Sequence, residues 1–203
     1  MKKKNPLHDK SRAQAAQDLF ALSICKNKTY IEIGGNHPIK INNTYDLDVN
    51  HGWKGFSIEL IEKWKDKWEK SNRNNPCYFS DAITFDYLSA LKEQGLDTKI
   101  GYLSCDIEPP KNTFAALKRV IEQGVEFECI TFEHDWYNYQ NTNFNQQATD
   151  FLTRHGYKVA VHDVFFKKPW LPYETWFVRQ DNNFTPVNFQ EWCIEESKHG
   201  EEI

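Results

Sequence analysis

The sequence predicts an α/β fold: a single, mostly parallel sheet with helices packed on both faces. Three observations carry that expectation. Short apolar, strand-like runs alternate with helix-like segments in five successive units. Gly95, Gly124 and Gly156 stand where helices should stop, at positions that favour positive φ. The last two strand-like runs are joined without room for a crossover helix, so they are most simply antiparallel.

Each element follows from local pattern. Apolar residues at Ala16, Leu19, Phe20 and Ile24 recur at helical spacing, so a helix is expected over 11–25, with Ser11 and Gln14 as a capping box. Thr29-Tyr30-Ile31-Glu32-Ile33 reads as a buried strand that Gly34-Gly35-Asn36-His37-Pro38 stops abruptly. A helix over 43–49, a turn at 52–55 and a strand at 56–59 follow. The charged run at 61–70 reads as a helix with a solvated face. Cys77-Tyr78-Phe79-Ser80 is a third strand, followed by a helix over 85–94. A fourth strand covers 101–105, and a helix capped by Thr113 runs to Gln123. A fifth strand at 128–132, a helix over 144–155 and strands at 158–161 and 175–178 complete the core. A short helix is expected at 189–197, in a tail that then frays. With no Gly/Ser linker or internal repeat, residues 1–203 read as one domain: an N-terminal helix, a core over about 29–180 and a tail over 181–203.

Composition narrows the function classes. The chain has 203 residues, 39% hydrophobic and 15% aromatic, enough for a sizeable core despite a mean hydropathy of -0.74. A formal charge of -4 and a pI near 6.0 argue against a nucleic-acid partner. No apolar run is long enough to span a bilayer, and the basic start lacks an apolar h-region, so no membrane partner is expected. Five scattered cysteines without a Cys-x-x-Cys pair suit a reducing cytoplasm.

In an open parallel sheet, ligands bind beyond the carboxyl ends of the strands. Acidic residues occupy these ends throughout: Glu32, Glu59, Asp81, Asp106 with Glu108, and Glu133 with Asp135. The run Gly34-Gly35-Asn36 lets backbone approach a ligand, but it lacks the further glycines that seat a pyrophosphate. Glu32 beside it would repel phosphate and suit an ammonium or a sulfonium. Glu59, about 25 residues after the turn, is placed to hold ribose hydroxyls, although it could equally be a charge favoured by a helix N-terminus. Together these features favour a nucleoside carrying an amino acid over a dinucleotide.

Tyr30-Ile31-Glu32-Ile33-Gly34-Gly35-Asn36, Asn42-Asn43-Thr44-Tyr45 and Gly52-Trp53-Lys54-Gly55-Phe56-Ser57-Ile58-Glu59 resemble the FkbM family of S-adenosylmethionine-dependent methyltransferases. Tyr102-Leu103-Ser104-Cys105-Asp106-Ile107-Glu108, Glu133-His134 and Tyr173-Glu174-Thr175-Trp176-Phe177 resemble later segments of that family. The resemblance implies a Rossmann-like class I methyltransferase fold, with seven strands in the order 3-2-1-4-5-7-6 and the seventh antiparallel. It also implies O-methylation of a hydroxyl on a sugar, glycan or small natural product, with S-adenosyl-L-methionine as cofactor. By position Glu32, Gly34, Gly35 and Asn36 would line the methionine end, Glu59 the ribose, and Asp81 with Ala82 the adenine. The sequence departs from the family at His37-Pro38, Pro109-Pro110 and Thr175, all on the acceptor side.

An alcohol needs a base as attack proceeds. His134 is the first candidate, with Asp135 to orient it, or as a structural or substrate-contacting residue instead. Asp106 could act as base, position the acceptor or bind the cofactor ammonium. Glu108, Glu133, Trp136, Tyr137 and Trp170 are candidates for acceptor contacts, while Trp176 is expected in the core. Asp106, Glu108, Glu133, His134 and Asp135 could converge on a divalent cation, but clustered carboxylates are more often solvated or hydrogen-bonded, so no metal is expected. Two rivals remain: a non-catalytic carbohydrate-binding module and a nicotinamide-dependent oxidoreductase.

Overall fold

Strands cover Thr29–Ile33 (β1), Lys54–Glu59 (β2), Cys77–Phe79 (β3), Lys99–Cys105 (β4), Glu126–Glu133 (β5), Tyr157–Val164 (β6), Glu174–Arg179 (β7) and Val187–Asn188 (β8). They form one sheet in the order β3-β2-β1-β4-β5-β7-β6-β8 in a computed structural model that describes residues 11–136, 138, 142–165, 168 and 170–199. The expected order 3-2-1-4-5-7-6 is present, and β7 is antiparallel to both neighbours. The strand count is corrected from seven to eight. Val187 and Asn188 pair parallel with Val161 and His162, too short a run to stand out in the sequence.

The helices are Gln17–Ile24 (α1), Tyr45–Val49 (α2), Lys65–Glu69 (α3), Tyr87–Glu93 (α4), Pro110–Glu122 (α5), Phe144–Arg154 (α6) and Phe189–His199 (α7), with a 3-10 turn at Glu62–Trp64 leading into α3. Gly95, Gly124 and Gly156 take positive φ just past α4, α5 and α6, as expected. Two expected helix starts fail. Ser11 and Gln14 make no capping box: Ala16 is left-handed at φ 67, and the Ser11 hydroxyl is drawn to Asp18 instead. Thr113 does not cap α5, which begins at Pro110, where a missing N–H costs nothing. Thr113 is buried inside the helix, and its hydroxyl donates to the Ile107 carbonyl.

Alternate residues of each strand serve opposite faces of the sheet. Ile31, Ile33, Phe56, Leu103, Ile130 and Phe132 pack against residues of α4, α5 and α6. Tyr30, Tyr102, Cys129, Trp176 and Val178 pack with Phe20 of α1 and Trp192 of α7, so Trp176 is core as expected. Nearer the strand ends, that second face turns polar and stays buried, carrying Glu32, Ser57, Ser104, Thr131 and Glu174.

Register positions the site. Ile33 pairs with Cys105, Cys105 with Phe132, and Glu133 with Glu174. Gly34, Asp106, Glu133 and Glu174 therefore stand in one row across the ends of β1, β4, β5 and β7.

Candidate functional site

The turn after β1 is built by close approach. Gly34 has φ +90, and a Cβ there would overlap the Asp106 carbonyl oxygen. Its glycine is thus demanded by the neighbouring backbone, whereas the sequence suggested a ligand. The Gly34 and Gly35 N–H groups both donate to the Ile58 carbonyl, at 2.9 and 3.0 Å. A dinucleotide loop needs such groups free for phosphate, and here they are spent.

Asn36, left-handed at φ 42, donates its N–H to Glu59 Oε2 at 2.6 Å. Glu59 Oε1 accepts the Ile61 N–H at 2.7 Å. The structure thus brings together the two features the sequence singled out, the glycine turn and the acid ending β2. Beside them Leu60 and Ile61 are exposed at 66% and 50%. Ser80 N–H donates to the Glu59 carbonyl, which places Asp81 and Ala82 beside this end. Asp81 Oδ1 accepts the Ile83 N–H, and Ala82 is buried.

Glu32 sits differently from the expectation of a ligand-facing carboxylate. It is buried, with Oε2 accepting from Ser57 Oγ at 2.6 Å and from Asn42 Nδ2 at 3.3 Å. Burial pushes its pKa up, and the Arg73 guanidinium opposes that. Arg73 is the residue the sequence reading missed. Its Nε lies 2.6 Å from Asp48 Oδ2 in a fully buried ion pair. Its other nitrogens donate to the Pro38 carbonyl, Asn42 Oδ1, the Tyr30 hydroxyl and Thr44 Oγ1. The guanidinium also lies 4.7 Å from the centre of the Trp68 ring, whose Nε1 donates to the Asn36 carbonyl. The segment between β1 and α2 is therefore clamped beside the carboxyl ends of β1 and β2.

Across β4 and β5 the chemistry changes. The Asp106 and Glu133 carboxyls lie against each other, and the Glu133 carboxyl also meets that of Asp135. Burial and the surrounding acids push Asp106 up to about 6 and Glu133 well above the carboxylate range. Asp135 is 3% exposed, and its Oδ1 is buried without a hydrogen-bond partner among the described residues. Glu174 is buried beside them; it accepts from Gln17 Nε2 and Trp176 Nε1, and burial raises its pKa to about 8. No lysine or arginine among the described residues forms an ion pair with Asp106, Glu133, Asp135 or Glu174.

His134 is 2% exposed. Its Nδ1 accepts the Trp136 N–H at 3.3 Å, which leaves Nε2 to carry the hydrogen and donate to Thr175 Oγ1, also at 3.3 Å. Thr175 in turn donates to Asn145 Oδ1. Burial lowers the imidazole to about 4. Both ring nitrogens are thus occupied inside the protein, and the ring is neutral near neutral pH. Glu108, Trp136 and Trp170 lie at the surface, Trp170 at 70% exposure, while Tyr137 falls outside the described residues. No group of three or more metal-ligating side chains suited to a metal ion occurs among the described residues. No helix among them is long and apolar enough to cross a membrane.

No family model matches the sequence, and no curated protein matches it either. Solved structures do. The plantazolicin methyltransferase BamL, in complex with a triazolic desmethyl analogue and SAH, aligns over 85% of this chain and 88% of its own at 10% identity, with a TM-score of 0.56. A putative rRNA methylase from Clostridium thermocellum aligns over 90% and 100% at 13% identity, TM-score 0.54. The 1,6-didemethyltoxoflavin-N1-methyltransferase of Burkholderia thailandensis, bound to its substrate and S-adenosylhomocysteine, aligns over 86% and 81% at 10% identity, TM-score 0.53. At these identities the likeness shows the fold, a Rossmann-like methyltransferase architecture.

Proposed function

We propose that this chain is an S-adenosylmethionine-dependent methyltransferase acting on a small-molecule acceptor. One observation carries the reading: the glycine turn after β1 and the acid ending β2 are locked to each other through Asn36 and Glu59. They stand in a sheet of the methyltransferase order.

The donor set suits this cofactor. Each Glu59 oxygen takes one backbone N–H and keeps lone-pair capacity for a ribose hydroxyl. Leu60 and Ile61 offer apolar surface beside it for the face of a base, with Asp81 and Ala82 at its edge. Gly34, Gly35 and Asn36 would line the amino-acid end, and Glu32 would act through the loop it anchors. The acids beyond β4 and β5 favour a ligand carrying positive charge. When bound, the cofactor supplies an electrophilic methyl group on a sulfonium.

The protein's own task is positioning and proton removal. The acceptor atom has to be held roughly 3–3.5 Å from the methyl carbon. Asp106, beside the glycine turn and carrying a pKa near 6, is placed to take the acceptor's proton near neutral pH. Of the two candidates, Asp106 fits that role better than His134, both of whose imidazole nitrogens are already engaged. The hydroxyl acceptor implied by the resemblance would need such a base, and so would an amine.

Calorimetry with S-adenosylhomocysteine and with nicotinamide dinucleotide tests the reading. Saturable binding of the first, lost in Glu59→Ala, is expected. Binding of the dinucleotide alone would instead favour the oxidoreductase. S-Adenosylhomocysteine binding without methyl transfer to any acceptor would favour the non-catalytic carbohydrate module.

A further inference from the structure

A neutral hydroxyl needs a single base, yet three carboxyl groups meet beyond β4 and β5. Register puts Asp106 beside Glu133, and the chain's turn at Asp135 brings a third carboxyl back onto Glu133. Asp135 is held there in a left-handed conformation, with its backbone N–H fixed to the Tyr173 carbonyl. One of its oxygens is buried and finds no donor among the described residues. A buried carboxylate oxygen without a donor costs on the order of 1–3 kcal/mol, so its persistence calls for a partner that arrives with the ligand. The other charges acting on Asp106 are also negative, from Glu108 and Glu59.

We propose that Asp106, Glu133 and Asp135 form a binding site for a cationic amine, and that the acceptor is methylated on that nitrogen rather than on a hydroxyl. The inference rests on the methyltransferase reading. An ammonium has N–H donors and no acceptor, which matches three acid side chains that form no ion pair with a cation among the described residues. Exposed Glu108 at the rim would draw such a cation in. The step balances: the ammonium gives a proton to a carboxylate of the cluster, and the freed lone pair forms the N–C bond. The C–S bond breaks with its electron pair returning to sulfur, and the product is a methylated ammonium. A hydroxyl has a single hydrogen, and giving it to Asp106 as the base would leave none for Asp135 Oδ1.

The test uses the full chain, with and without S-adenosylhomocysteine, titrated with n-butylammonium, guanidinium and n-butanol. Amide chemical shifts report on the site, and stability is followed by thermal melting. Saturable shifts at Asp106, Glu133 and Asp135 with either cation and none with butanol are expected. Asp135→Asn should weaken cation binding about tenfold, the scale of one hydrogen bond to a charged group. Asp106→Asn serves the same purpose if Asp135→Asn does not fold. Absence of any cation response, or an equal response to butanol, overturns the proposal even if S-adenosylhomocysteine binds. Failure of S-adenosylhomocysteine to bind, with the cation response intact, would instead remove the methyltransferase reading.

Discussion

The two halves of the crevice solve the same problem in opposite ways. Along β1 and β2 the buried acids Glu32, Asp48 and Glu59 all meet donors: Ser57 and Asn42, Arg73, and the backbone of Asn36 and Ile61. Along β4, β5 and β7 the acids Asp106, Glu133 and Asp135 crowd one another, and Glu174 stands beside them without a counter-cation among the described residues. Satisfied networks rigidify, whereas crowded acids without counter-charges raise the energy of the folded state. The first half is therefore the more rigid, and the second is where the proposed cation would gain most by arriving.

Removing the clamp of the satisfied half should have the largest effect. Arg73→Ala leaves Asp48 buried and unpaired and frees the segment from Pro38 to Thr44. We expect a loss of about 3–5 kcal/mol, read as a lowered denaturation midpoint. Arg73→Lys should recover part of it, since an ammonium keeps the charge but cannot reproduce the guanidinium fork. An Arg73→Ala protein as stable as the parent would mean that the first half is not the rigid one.

The crowded half should respond in the opposite direction. The Glu174 pKa rises from 4.5 to about 8 on folding, so between those pH values the folded state binds more protons than the unfolded chain. Stability attributable to this group is present in full below about 4.5 and is lost as pH rises towards 8. Glu174→Gln keeps an oxygen acceptor for Gln17 and Trp176 and removes the charge. It should flatten the fall and stabilise the protein at pH 8 by up to a few kcal/mol. Denaturant titrations at pH 5 and pH 8 compare the two slopes. An unchanged slope would mean that Glu174 is solvated as well as its partners across the sheet.

Much of this contrast is legible in the residues, and part is not. The row of acids at the strand ends follows from strand boundaries alone, because parallel register brings successive strand ends together. The Gly34-Gly35-Asn36 turn and Glu59 are visible for the same reason, although the close approach that requires a glycine at 34 is that of the Asp106 backbone. Arg73 is invisible because it lies in a loop without periodicity and its partners are 25–43 residues away. The start of α1 departs from the local pattern because a tertiary bond from Ser11 to Asp18 competes with capping. For His134 the residue type suggests titration near neutrality, whereas burial lowers the imidazole to about 4.

That last point separates a supporting residue from an acting one, and it carries the smallest expected effect. In Thr175→Val the Nε2 hydrogen of His134 loses its acceptor while the side-chain volume is nearly kept. The cost should be about 1 kcal/mol, the scale of one hydrogen bond, seen as a small drop in melting temperature. If Asp106 is the base, as proposed, turnover on a methyl acceptor should not change, because both imidazole nitrogens are bound within the protein. The pH–rate profile adds a second constraint. A lower limb near 6 would belong to the Asp106 group, while a limb near 4 that moves in Thr175→Val would belong to the imidazole. If turnover falls steeply in a variant that melts almost normally, His134 is an acting base, and proton transfer lies behind β5 and not between the two halves of the crevice.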